Sequence, residues 1–177
     1  MLKSLVALSA LLFAAAVPAQ PSQVIVVRHA ERATEPKDDP TLSPEGQQRA
    51  ELLAETLASA NVQAIVTTHY RRTQETAAPL ANRMNILPTV LPIRPGPHSA
   101  QIAEVVAAVR KLSGVVLVVG HSNTVADIVA GLSSSTPVPL CETSFSNLFV
   151  STQASSAVPA LQLKYGKPDK PPTSGCQ

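Results

Sequence analysis

Aliphatic, β-branched runs alternate with apolar stripes at helical spacing along most of this chain. Gln23-Val24-Ile25-Val26-Val27 is continuous and ends in Arg28-His29, as expected of a strand covered on both faces of a parallel sheet. Ala33 to Pro40 is polar and proline-punctuated, hence a loop. Ser43-Pro44-Glu45 then supplies an N-cap, a proline at the first helical position and an acid for the positive end of the helix dipole. Ala50, Leu53, Ala54 and Leu57 continue at i, i+3, i+4 and i+7, and Asn61 marks the stop. Ala64 to Thr68 predicts the second strand and Arg72 to Arg83 a helix. Thr89 to Leu91 predicts a short strand, Pro92 to Pro97 a loop, and Ser99 to Leu112 a helix with Ile102, Val105, Val106 and Val109 on one side. Val115 to Val119 is the strongest strand signal; it runs into Gly120-His121-Ser122-Asn123 and a helix over about 124–132. Ser144 to Thr152 and Ala160 to Tyr165 read as two strands with no helix between them. Alternation of this kind predicts an α/β fold, with a mostly parallel sheet flanked by helices on both faces. The final pair is expected to extend its edge, one strand antiparallel.

Composition changes this picture at the two ends. Of 177 residues, 45% are hydrophobic, 15% charged and 3% aromatic, which excludes a disordered chain and fits one domain over residues 21–166. Part of the positive mean hydropathy comes from the N-terminus, where Lys3 precedes an apolar run from Leu5 to Val17 and then Val17-Pro18-Ala19. Residues 1–20 read as a signal peptide cleaved after Ala19 or Gln20. The alternative, an uncleaved anchor, is short: about thirteen residues cover roughly 20 Å of a ~30 Å hydrocarbon core. The expected protein is exported, periplasmic or secreted, with no stable membrane anchor after cleavage. An oxidising compartment permits a disulfide between Cys141 and Cys176, which would tie the Pro/Lys-rich tail, residues 167–177, back onto the domain; two unpaired thiols are the alternative. The net charge of +2, with no basic cluster longer than Arg71-Arg72, argues against a nucleic-acid partner.

Candidate chemistry gathers at three strand ends: Arg28-His29, His69 to Arg72, and His121. In a parallel sheet the strand ends converge on one edge, where ligands bind. Two arginines and two histidines facing one pocket form an anion site, because guanidinium forks match phosphate oxygens. A neutral imidazole, with an unperturbed pKa of about 6.5, is a competent nucleophile near neutrality and can carry a phosphoryl group. No metal is expected, since His29, His69, His98 and His121 form no close ligand pair, and no cofactor motif is present.

Arg28-His29-Ala30-Glu31, the middle segment Thr67 to Ala77 and Gly120-His121-Ser122-Asn123, each after a strand and in this order, resemble the histidine phosphatase superfamily with its phosphoglycerate mutase-like three-layer sandwich. The resemblance runs from about Val24 to Val150. It implies that His29 is the phosphorylated nucleophile, that Arg28 and Arg72 clamp the phosphoryl oxygens, and that His121 donates a hydrogen bond to the same oxygens. Arg71 fits the pattern less well, because Arg72 is the arginine that directly precedes Thr73. His69 and Tyr70 replace the Pro-Leu often seen in relatives and are candidates for the substrate mouth, with loop packing as the alternative.

The general acid is open among Glu31, Asp39, His98 and Glu104, with Glu31 ranked first because it lies within the first motif. The expected activity is a metal-independent phosphatase acting on a small phosphorylated substrate or a phosphoprotein. An inactive phosphate-binding module and a phosphomutase are the alternatives. Ser122 sits in no G-x-S-x-G elbow, so a serine hydrolase is a poor reading.

Overall fold

The computed structural model describes residues 20–136, 139–152 and 158–171. The expected signal segment, apart from Gln20, and Cys176 lie outside the described residues. The elements are β1 (Pro21–Arg28), α1 (Pro44–Thr56), β2 (Val62–Thr68), α2 (Arg71–Met84), β3 (Thr89–Leu91), α3 (His98–Val109), β4 (Gly114–Gly120), α4 (Val125–Leu132), β5 (Asn147–Thr152) and β6 (Leu161–Lys164). Ser43 caps α1 as the sequence predicts, its side chain accepting from Gly46 N at 3.1 Å. α3 stops at Val109, short of Leu112. β5 begins at Asn147 rather than Ser144, because residues 141–146 form a loop that the first motif uses.

One six-stranded sheet runs in the order β3-β2-β4-β1-β5-β6. β1, β2, β3 and β4 are mutually parallel, whereas β5 runs antiparallel to β1 and β6 antiparallel to β5. β5 alone therefore opposes the parallel set, as expected of the final pair. Side chains alternate across the pleat, so the central strands feed two cores. Ile25, Val27, Ile65, Leu117 and Val119 pack with Leu53 of α1 and Leu80 of α2 on one face; Val24, Val26, Val116 and Val118 pack with Val109 of α3 and Ile128 of α4 on the other. The architecture is an α/β three-layer sandwich of the phosphoglycerate mutase-like type.

Backbone ties bring the three motifs together at the carboxyl edge of this sheet. His29 N donates to Gly120 O at 2.9 Å, extending the β1–β4 ladder one residue past the strand, and Ala30 N donates to Thr76 Oγ1 at 2.9 Å. Gly46 lets α1 approach the first motif: a Cβ there would stand 2.1 Å from Glu31 O. The C-terminal segment closes the other side. Asp169 accepts from Phe145 N, Ser146 N and Ser146 Oγ, each at 2.7 Å, and so fixes the loop that leads into β5.

Candidate active site

A cavity of about 460 Å³ opens at this edge, with His29, Arg32, Lys37, Tyr70, Arg72 and His121 in its wall. β1 delivers His29, the β2–α2 junction delivers Tyr70 and Arg72, and the end of β4 delivers His121. His29 and His121 are 4% and 7% exposed, with ring centroids 5.3 Å apart in an edge-on arrangement. The two most widely separated motifs of the sequence thus meet in one wall.

Hydrogen bonding assigns the protons. His29 Nδ1 lies 2.8 Å from Ala30 O, and a carbonyl can only accept, so Nδ1 carries the hydrogen and Nε2 keeps its lone pair. His121 Nδ1 lies 3.4 Å from Arg72 Nη2, which can only donate, so Nε2–H of His121 faces Thr68 Oγ1 at 3.1 Å. Burial, reinforced by the neighbouring cations, pushes both imidazoles down to about 3. For His29 those cations are Arg28 and Arg72; for His121 they are led by Arg72 and Arg28. Both rings are neutral through the physiological range, and an unprotonated Nε2 is the state a nucleophile needs.

Arg72 is the cation best placed for an anion. Its guanidinium stacks over Tyr70 at 4.2 Å, and its Nε is buried without a hydrogen-bond partner among the described residues. Such an orphaned donor is costly unless a ligand or water takes it. Asp39 approaches from the side, with Oδ1 3.9 Å from Arg72 Nη1 and 3.0 Å from Arg71 N. Asp39 is thereby a brace for the start of α2.

Arg28 requires a correction. It is almost fully buried and absent from the cavity wall: Nη1 donates to the carbonyls of Cys141, Glu142 and Ser144, and Nη2 to Glu142 Oε2 at 2.7 Å. In this arrangement Arg28 anchors the 141–144 turn and meets the cavity through Glu142, while its Nε, like that of Arg72, has no hydrogen-bond partner among the described residues. His121 likewise has both ring nitrogens engaged within the protein, and orients Arg72 in place of offering a donor to the cavity.

Glu31, ranked first as general acid, is a second correction. It does not line this cavity. Both of its carboxylate oxygens accept from Arg49 Nε at 2.9 Å, and Arg49 Nη2 lies 2.8 Å from Oε1. The chain leaves the sheet at Ala30 and Glu31 O accepts from Ser43 N, so the side chain turns to α1. The other candidates are also occupied away from His29: His98 pairs with Asp127 at 2.7 Å and Glu104 with Arg94 at 2.8 Å, all of them exposed.

The substrate-mouth pair splits. Tyr70 lines the cavity, with its ring edge-on to His121 at 5.6 Å. His69 does not: its Nδ1 accepts from Ile93 N at 2.9 Å, which is the packing alternative. Cys141 is disulfide-bonded, while Cys176 falls outside the described residues. Sequence reasoning missed Arg32, Lys37, Asp38 and Glu142, all in the cavity wall. Arg32 stands three residues after His29 in the same loop, a spacing that could have pointed to it. Glu142 had no such signal. Its place depends on β5 closing beside β1.

Residues 24–93 match the family model of the histidine phosphatase superfamily, branch 1. Solved structures extend the likeness over most of the chain. The protein histidine phosphatase SixA complexed with tungstate is 19% identical at a TM-score of 0.63, covering 80% of this chain and 96% of that one. The putative phosphohistidine phosphatase SixA from Agrobacterium tumefaciens is 22% identical at 0.57, with 83% and 99% covered. A mycobacterial glucosyl-3-phosphoglycerate phosphatase is 18% identical at 0.52, with 81% and 98% covered. No curated protein matches the sequence.

Proposed function

We propose that this protein is an exported, metal-independent phosphatase that hydrolyses a phosphomonoester, or the phosphoryl group of a phosphoprotein, through a phosphohistidine on His29. The observation that carries the reading is the His29 ring itself, whose Nδ1–H is spent on Ala30 O and whose Nε2 lone pair is left for the phosphorus. Phosphoryl transfer asks chiefly for positioning and for positive charge around the equatorial oxygens. Arg72, with its orphaned Nε, supplies that charge at the wall, and Arg32 and Lys37 add to it. The cavity is open and polar, so water can reach the phosphohistidine, which favours hydrolysis over mutase action. Solved neighbours named as phosphohistidine and glucosyl-3-phosphoglycerate phosphatases support a phosphorylated substrate. Export rests on the sequence of residues 1–20.

Rapid quench with a phosphorus-labelled substrate tests the mechanism. An acid-labile, alkali-stable label on His29, abolished in His29→Ala together with turnover, is the expected result. A wild type that binds phosphate without turnover would instead be a binding module, and exchange of phosphate between substrate positions without release would mark a mutase. Detection of the chain in the cytosol with residues 1–20 intact would refute export.

A further inference from the structure

When His29 Nε2 attacks a phosphomonoester, the departing alkoxide needs a proton. Among the described residues, the carboxylates in the cavity wall are those of Asp38 and Glu142. Asp38 is exposed on the 33–40 loop, whereas Glu142 is aimed: Oε2 takes Arg28 Nη2 at 2.7 Å, and Oε1 accepts from Ser122 Oγ, on the residue next to His121. We propose that Glu142 is the general acid and base of this site. This proposal rests on the phosphohistidine reading of His29 and deepens it.

His29 Nε2 forms a bond to phosphorus, the ester P–O bond breaks, and the proton of the Glu142 carboxyl passes to the leaving oxygen. In the second half, water attacks phosphorus, its proton goes to the Glu142 carboxylate, and the N–P bond breaks to return the lone pair to Nε2. Glu142 ends protonated, as it began, and the net reaction is ester plus water to alcohol plus phosphate.

The charges around Glu142 explain how one side chain holds both forms. Arg28, Arg32 and Arg72 are the cations that act on it and Lys37 shares its cavity wall; His29 and His121 are neutral, and Asp38 is the other carboxylate in the wall. Burial alone would raise the proton affinity of Glu142. In the ligand-free site the Ser122 hydrogen bond and Arg28 outweigh that and hold the carboxyl below its usual range. A phosphoryl dianion held at Arg72 sets negative oxygens against the Glu142 carboxylate, so its proton affinity rises and it takes up the proton it later delivers.

Glu142→Gln, which keeps shape and the Ser122 contact, separates the two steps when paired with two esters. With p-nitrophenyl phosphate, whose leaving group needs little assistance, the burst of phenol should survive while phosphohistidine accumulates, because water has lost its base. With an alkyl phosphate the burst itself should fall about 10²–10⁴-fold. Equal loss of both bursts overturns the proposal, as does wild-type turnover of both esters with tighter phosphate binding, which would make Glu142 a mere occupant of Arg28. A second measurement needs no variant: in the wild-type protein the alkyl burst should decline on the alkaline side where the aryl burst does not. Parallel pH profiles for the two esters overturn the assignment. Absence of any label on His29 in the wild type is a separate failure, that of the phosphohistidine reading.

Discussion

Two arginine–carboxylate pairs flank the first motif, and they behave differently. Arg49 and Glu31 are both withdrawn from solvent, the Glu31 side chain being 13% exposed, and Arg49 also reaches the carbonyls of Tyr165 and Lys167. Arg28 is equally buried, but its partner Glu142 is 74% exposed and stands in the cavity wall. The first pair ties α1 and the C-terminal segment to the first motif. In the second, Arg28 is fixed by three carbonyls while Glu142 stands in the cavity wall. A carboxylate on a buried arginine is thus a structural element or a working one according to whether its far side meets protein or solvent.

The largest expected effect separates the cavity cluster from everything else by acid. His29 and His121 have folded-state values near 3 against an unfolded value of about 6.5. The unfolded chain therefore binds protons first, and stability, complete above about pH 6.5, should be lost as pH falls towards 3. At about 1.4 kcal/mol per unit for each group, the sum is comparable to a whole domain's stability of roughly 5–15 kcal/mol, so unfolding should precede pH 3. Denaturant midpoints measured across this window should slope less steeply in His121→Gln; an unchanged slope would show that the histidines are not the acid-sensitive groups.

Next in size, Arg49→Ala should strand Glu31 and cost about 3–5 kcal/mol of stability, seen as a lowered thermal midpoint, while the folded fraction keeps its rate. Arg72→Ala should do the reverse, lowering kcat by about a hundred- to a thousandfold with little change in the midpoint. If Arg49→Ala lost rate with its fold intact, or Arg72→Ala lost fold, the contrast between the two flanks would collapse. The smallest effect is expected at the cap: Ser43→Ala should cost about 1 kcal/mol, measurable by chemical denaturation, without altering KM.

The legible and illegible parts of the site divide along the same line. His29, Arg72 and His121 could be read because each directly follows a strand or opens a helix, and a parallel sheet sends such positions to one edge. Arg28 was legible as a motif and misread in its contacts, since its partners lie 113 to 116 residues away. Glu31 was chosen for nearness in sequence to His29. Packing of α1 at Gly46 and the reach of Arg49 decided otherwise.

What the chain determined by itself was the alternation of strands and helices, the caps and stops, and the imidazoles and guanidiniums at strand ends. These follow from interactions among residues a few positions apart, which periodicity and local chemistry record directly. Only the tertiary structure decided which carboxylates share a cavity wall with His29, which arginines line that cavity, and how far the histidines are driven toward neutrality. Each of those depends on contacts between segments far apart in the chain, and on the desolvation that follows, which no local spacing encodes.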